Sequence, residues 1–424
     1  METPLLEILR QLDVMALVAL ALIALVMAHF VLKNKVYALF SLLVFCASLV
    51  GSTNPLIDSL SSITRWIAIS LLLLSSLIFG RIKVPLGSQL FLGYVAFGFI
   101  FLFFSKSDSW QFQKSGLLII VATSIPFAYG NRPFQVFHFS LVGLAIVATV
   151  FSVYSFTSLP GHLNDAARLS GFMKGAPWFS MVLGGLLPFS LWGVLQAPFR
   201  WLQIVFGMGF VLGTITLVFS GQRAGTIAGL LGVIPMLLIT LRQRKIMGRT
   251  ALALILLSTL VFAFFKQSST ERTNFLLHRY AREAGLSDRE WVWEMALTEI
   301  NKSPLLGRGI GAVEALSQSS FHNAYLDVWY NTGLPGLFFF VAAQLYFFYR
   351  ILLLIRFVKD RNARLLLALS LGYMLGFMEL CFFESAGAGA SNVNVILYLF
   401  LGVLISKNDL FLPFFLHDRF GTET

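Results

Sequence analysis

Charge is scarce in this sequence. Asp, Glu, Lys and Arg together make up 12% of its 424 residues, about half the share usual in a soluble domain. That excludes an ordinary water-soluble globule. Cysteine is nearly absent as well. Cys46 and Cys381 both lie in apolar runs, so there is no disulfide framework and no thiolate metal spacing. No H-E-x-x-H, no P-loop, no Rossmann fingerprint and no acidic pair typical of a divalent-cation site occurs. His29, His138, His162 and His278 show no ligand spacing. We expect no metal, no cofactor and no nucleotide. Internal repeats, low-complexity tracts and dividing linkers are also missing. The expected organisation is one membrane domain over 1–424 with one inserted loop at 267–322. The first apolar run carries Glu7 and Asp13 on its flank and has no clear cleavage site, which argues against a secretory signal peptide.

What is present is hydrophobic length. Apolar residues make up 57% of the chain, with 43 Phe. Runs of spanning or near-spanning length recur near 14–32, 36–50, 63–80, 88–104, 115–130, 134–157, 177–196, 201–220, 224–241, 250–266, 336–356, 365–383 and 392–406. They are continuous rather than alternating, which excludes a β-barrel. In lipid each can satisfy its backbone only as a helix. The expected fold is an all-α polytopic bundle of about 12–13 spans.

Basic residues fall in every second connection: Lys33 and Lys35; Arg81 and Lys83; Arg132; Arg200; Arg242, Arg244, Lys245 and Arg249; Arg356, Lys359, Arg361 and Arg364. The only acid among them is Asp360. Short Lys/Arg-rich loops stay in the cytoplasm. Most of the net charge of +11 is therefore topogenic, and nucleic-acid binding is not needed to explain it. The outer side then carries 51–62, 105–114, 158–176, the break at 220–223, the long segment 267–322 and the loop 384–391, with the N-terminus outside and the C-terminus inside. In the long segment, Ser287 and Glu290 form a capping-box pattern. Val292, Met295, Ala296 and Ile300 share one face of the helix that follows, and Ser303-Pro304 ends it. A short amphipathic helix lying on the bilayer surface is expected.

Four cationic or ionisable groups stand at outer boundaries: Arg168, Arg223, Arg289 and His322. Arg223 sits in a tight turn between two spans, where a charge costs roughly 2.5–3.5 kcal/mol near the bilayer interior and persists where a partner or ligand compensates. The plain alternative is an arginine that snorkels to lipid phosphate. Arginine holds phosphate bidentately, so a lipid-linked pyrophosphate or any anionic headgroup suits the three arginines. His322 as a neutral imidazole can take a proton from a hydroxyl; the alternative is an interfacial ring packed on Trp329 and Tyr325. Asn323 can orient that ring or a sugar hydroxyl. Glu379 and Glu384 can pair with the arginines or touch a sugar.

These residues lie in recognisable blocks. "FSGQRAG" at 219–225 resembles the S-x-x-R-[GA] element of the bacterial O-antigen ligase and O-antigen polymerase superfamily. "REWVWEMALTEINKSPLLGRGIGA" at 289–312 resembles its outer-loop block, and "FHNAYLDVWYNTGLPGLFFF" at 321–340 its H-N-x-x-L…G-x-x-G block. "RLSGFMKGAPWFSMVL" at 168–183 is similar to its R-x-x-G element, with Pro177-Trp178 where many members have Asn. The likeness covers about 160–340; elsewhere only hydropathy matches.

The resemblance implies a metal-independent inverting glycosyltransferase in the bacterial inner membrane, working at the periplasmic face. Its donor is an undecaprenyl-pyrophosphate-linked glycan, and its acceptor is lipid A–core for a ligase or another repeat unit for a polymerase. The carry-over makes His322 and Arg223 catalytic and Arg168, Arg289 and Arg223 pyrophosphate ligands, with Asn323 and Glu384 as acceptor-binding or orienting groups. Beyond these and the membrane lipids no partner is expected. The ligase reading is preferred over the polymerase. A lipid-glycan transporter, which would show repeat symmetry, stands third.

Overall fold

The computed structural model describes residues 14–79, 84–103, 109–157, 172–241, 289–317, 320–386 and 392–407. Arg168, the expected span at 250–266, Ser287 and the basic residues Arg81, Lys83, Arg242, Arg244, Lys245 and Arg249 lie outside them.

Every described residue in a regular element is helical, apart from isolated bridges. The helices are α1 Val14–Leu32, α2 Val36–Leu49, α3 Pro55–Phe79, α4 Leu86–Leu102, α5 Ser109–Tyr129, α6 Phe134–Thr157 and α7 Ala176–Gln196. They continue as α8 Arg200–Phe219, α9 Arg223–Leu241, α10 Glu290–Asn301, α11 Ala312–Ser317, α12 Ala324–Phe357, α13 Arg361–Phe383 and α14 Val393–Ser406. Seven of those described are long and apolar enough to cross a bilayer.

Several helices begin before their apolar runs. α3 opens at Pro55 rather than 63, and α5 at Ser109 rather than 115. Polar first turns stay helical where their side chains find work: Asp58 in α3 accepts the Gly51 N–H at 2.7 Å. Arg65, 5% exposed, lies inside α3 with its guanidinium 4.7 Å from the Trp66 ring. In α10, Arg289 is the residue whose carbonyl accepts from Trp293 N–H at 2.9 Å. Glu290 is therefore the first helical residue of the described segment, not the third position that the capping-box pattern gives it. Ala296 and Ile300 are buried and Val292 and Met295 half-buried, so the expected apolar face is present.

Compactness divides the chain into two units. The first gathers Met1–Leu144, Met295–Arg350 and Glu384–Leu410; the second gathers Ala145–Glu294 and Ile351–Phe383. In the first, α14 is buried from Val393 to Ile405 and packs on α2, α4 and α5. A helix apolar all round belongs in a core. The ring of Phe400 meets Phe40 at 4.6 Å, Tyr129 at 5.0 Å and Phe137 at 5.6 Å. The Tyr129 hydroxyl finds Ser140 Oγ at 2.7 Å, which satisfies the polar tip of a fully buried ring. In the second unit α7 and α13 are the buried helices, and α9 packs on both.

Within each unit, connections that the basic-residue alternation assigns to one side meet each other. In the first, Lys114 pairs with Glu314, and Lys407 Nζ donates to the carbonyls of Tyr129 (3.5 Å) and Arg132. In the second, Gln196 Nε2 donates to Asn362 Oδ1 at 3.3 Å, and Arg289 reaches the Phe383 carbonyl.

The feature that shapes the first unit most is a break in α12. Gly333 has φ 63 and ψ −176, and Pro335 follows. Proline has no N–H, so the Asn331 carbonyl loses its intrahelical partner. The turn at Gly333 strands the Tyr330 carbonyl and the Leu334 N–H too. The loop "PLLGRG" takes up all three. Leu334 N–H donates to Pro304 O at 3.2 Å, Arg308 N–H to Tyr330 O at 3.1 Å and Gly309 N–H to Asn331 O at 2.8 Å. Trp329 Nε1 adds a bond to Pro304 O at 2.9 Å, and Asn331 Oδ1 accepts from Val313 N–H at 3.2 Å near the start of α11. Break and loop are a matched pair, because unsatisfied backbone groups in an apolar setting cost several kcal/mol.

Gly333→Ala is therefore expected to cost about 1–3 kcal/mol from its positive-φ, extended-ψ backbone alone, a region essentially reserved for glycine, with more added because its Cβ would stand 2.8 Å from the Gly307 nitrogen. Thermal unfolding in detergent should show a clear fall in midpoint. Gly116→Ala in α5, where a Cβ meets nothing within 4 Å, should leave the midpoint unchanged or slightly raised.

Candidate active site

The residues that could do chemistry fall into both units, and each half has its own construction. In the first unit the centre is the turn that leads into α12. Asn323 is its N-cap: Oδ1 accepts from the N–H groups of Tyr325 (3.0 Å) and Leu326 (3.1 Å). Asp327, 3% exposed, reaches back one turn so that Oδ1 accepts from Phe321 N–H at 2.9 Å. Phe321 is fully buried and meets Tyr330 edge-on at 5.6 Å. Cap, return bond and buried ring together pin residues 321–323.

Between the two pinned residues stands His322, at φ 54. A non-glycine residue there is strained by roughly 1–3 kcal/mol, and the surrounding bonds hold it. Its N–H donates to Ser320 Oγ at 3.3 Å. Its ring Nδ1 lies 3.2 Å from Glu384 Oε2. The carboxylate side chain is 5% exposed and the imidazole side chain 41% exposed. A buried carboxylate on Nδ1 selects the tautomer with the proton there and leaves Nε2 with its lone pair. Such a ring can take a proton at Nε2 and share the resulting charge with the carboxylate, the logic of a histidine oriented by an acid.

Of the groups named from sequence, then, the structure brings His322, Asn323 and Glu384 together. They divide the work differently from the expectation for Asn323. Its oxygen is committed to the helix cap, and the atom beside the ring belongs to Glu384. Asp327, Asn331, Lys114 and Glu314 were not singled out. Asp327 and Asn331 left one signal, polar side chains in an otherwise apolar run.

In the second unit the centre is the end where α7 and α9 begin and α13 finishes. A three-residue connection, Ser220 to Gln222 with Gly221 at φ 63, joins α8 to α9. Ser220 Oγ closes it, donating to Leu217 O at 2.6 Å and accepting from Gln222 N–H at 3.3 Å. Arg223, half-buried, is the first residue of α9. α9 and α13 run antiparallel and so close that a Cβ on Gly376 would strike the Ala228 carbonyl and one on Gly372 the Gly232 carbonyl. The spacing Gly372-x-x-x-Gly376 is the sequence signal for this approach. Continuing that register puts Arg223 level with Cys381, two residues or about 3 Å of rise from the end of α13. Glu379 falls level with Gly225. The Arg289 Nη1 donates to Phe383 O, the last carbonyl of α13, where a cation offsets the negative end of the helix. Arg223 and Arg289 thus stand at one end of the same helix pair. Guanidinium groups offer five donors each, and one of those of Arg289 goes to Phe383.

Residues 208–341 match the family model described as O-antigen ligase. No curated protein matches the chain. The matched segment contains Arg223, Arg289, His322 and Asn323 and stops short of Glu384. The match is consistent with the O-antigen ligase superfamily and, with the apolar helices, with a multi-pass membrane enzyme of glycosyltransferase type.

The cap assignment is directly testable. Asn323→Ala should lower stability by about 1 kcal/mol, the usual cost of losing an N-cap, while Asn323→Asp keeps the acceptor and the wild-type midpoint. Equal loss in both variants would mean the amide nitrogen, not the cap oxygen, is what matters.

Proposed function

We propose that this protein is an O-antigen ligase-type glycosyltransferase of the bacterial inner membrane. It moves a glycan from undecaprenyl pyrophosphate to a sugar of lipid A–core at the periplasmic face. The observation that carries the reading is the carboxylate-backed imidazole of His322, at a strained and pinned position inside the segment that matches the O-antigen ligase model. The basic-loop alternation supports the outer face for His322, Arg223 and Arg289.

The reaction runs as follows. The acceptor hydroxyl gives its proton to His322 Nε2 as its oxygen bonds to the anomeric carbon. The carbon–oxygen bond to the diphosphate breaks on the opposite side of the sugar, and its electron pair leaves with the diphosphate. Configuration therefore inverts. Arg223, Arg289 and Arg168 meet the charge that gathers on the leaving group, so no divalent cation is required. Glu384 keeps the His322 ring in the accepting tautomer and stabilises its protonated form. Positioned base catalysis contributes roughly 10²–10⁴ in rate, and one preorganised donor to a developing anion about 2.7–4 kcal/mol.

Transfer of a lipid-linked glycan to lipid A–core by the purified protein should fall about 10²–10⁴-fold in His322→Ala and by about 10²–10³-fold in Arg223→Ala. Glu384→Gln should lose at least about tenfold through the tautomer alone, and a chelator should change nothing. Full transfer by correctly inserted His322→Ala and Arg223→Ala sinks the mechanism, and no transfer by the wild-type protein leaves a transporter. Deletion in cells separates the two transferase readings. Fully polymerised glycan left off lipid A–core marks a ligase, and single repeats attached to it mark a polymerase.

A further inference from the structure

The residue before Arg223 has no role in the fold that its side chain explains. Gln222 is the N-cap of α9, since its carbonyl accepts from Thr226 N–H at 3.2 Å. Glutamine is a poor cap. Ser, Thr, Asn or Asp would reach the first-turn N–H groups, whereas the longer glutamine does not, and no side chain among the described residues caps Arg223, Ala224 or Gly225. Gln222 is nevertheless 6% exposed, and its Nε2 is buried with no hydrogen-bond partner among the described residues. A buried donor without an acceptor is costly, and a buried helix terminus without a cap is equally unusual. Here the two coincide in one turn.

A second helix start lies alongside. α7 opens at Ala176 with Gly175 as an N-cap that supplies no side chain and with Pro177 in its first turn. α7 and α9 run parallel and touch where Gly225 meets the Ser180 backbone, so their positive ends point the same way. The first turn of α9 thus holds three main-chain N–H groups, the Gln222 amide and the Arg223 guanidinium. At that level of α13 the carboxylate is Glu379. An anion supplies what all these donors lack.

We infer that Gln222 is an anion-binding residue which, with the uncapped start of α9, seats a phosphate of the diphosphate ester. The inference rests on the reading that Arg223 serves a diphosphate donor, and it adds a ligand that this reading does not contain. The amide reaches the phosphate by turning about its last torsion, which is soft, and its N–H donates to a phosphate oxygen. Selectivity follows from geometry. Arg223 supplies charge, while the amide and the main-chain N–H groups fix where one phosphate sits.

Inorganic pyrophosphate is the probe, added to the full-length protein in detergent, with the rise in thermal midpoint as the readout. Wild type should be stabilised saturably. Gln222→Leu has no hydrogen bond of its own to lose, so without pyrophosphate it should melt no lower than wild type. It should need about tenfold more pyrophosphate for the same rise, the order expected for one hydrogen bond to a charged group. Gln222→Glu, of the same shape but negative, should show no rise at all, and it carries the test if the leucine variant does not fold. If Arg223→Gln binds pyrophosphate as wild type does, the diphosphate reading of the site fails. If Arg223→Gln loses binding while both Gln222 variants keep it, the diphosphate reading stands and the role of Gln222 is overturned.

Discussion

The exchange of backbone hydrogen bonds between the break in α12 and the loop at 304–309 is the constraint from which the first unit takes its form. Pro335 removes one donor, and Gly333 turns the chain out of helical geometry. Three main-chain groups would otherwise sit unpaired, and each finds its partner in the same short loop. The glycines of that loop are there for contact rather than for flexibility. A Cβ on Gly307 would run into the Asn331 carbonyl and the Thr332 backbone. Two stretches that look like separate motifs in the sequence are thus one structural device. It fixes the pre-break segment of α12, and with it the turn that carries His322.

From there the chemistry of the first half follows by short steps. The α12 start is held by Asn323 and Asp327, which spend their oxygens on backbone N–H groups. Holding both neighbours leaves His322 in a conformation that an unconstrained chain avoids. Strain of this kind survives only where the surroundings over-determine it. Glu384, brought in from the far side of two long helices in sequence, completes the arrangement at the ring Nδ1. In water this contact would be worth little; with the carboxylate buried it sets which nitrogen carries the proton.

The second half is organised by helix packing instead. Small residues let α9 approach both α7 and α13 at backbone distance. In lipid, where hydrophobic burial does not draw helices together, such approaches supply the packing energy. Their consequence for function is registration. Once Gly372 and Gly376 are seated against α9, the level of Arg223 relative to the end of α13 is fixed, and Arg289 is fixed to that end by the Phe383 carbonyl. Neither arginine depends on a long flexible loop for its position along the helix pair.

The sequence by itself determined the all-helical class and nearly every described helix, because hydrophobic runs act locally and survive any detail of packing. It also singled out His322, Arg223 and Arg289, since ionisable groups at membrane boundaries stand out against an apolar background. It missed where α3, α5 and α12 begin, because their polar first turns are kept helical by bonds that hydropathy does not register, such as Asp58 to Gly51. Only the tertiary structure decided that Glu384 backs the imidazole, that Asn323 is spent on a cap, that the 304–309 loop repairs the Gly333 break and that the Gln222 amide lies buried without an acceptor. The physical reason is the same in each case. A directional bond between residues far apart in the chain exists only after packing has set their distance, and no periodicity along the chain encodes that distance.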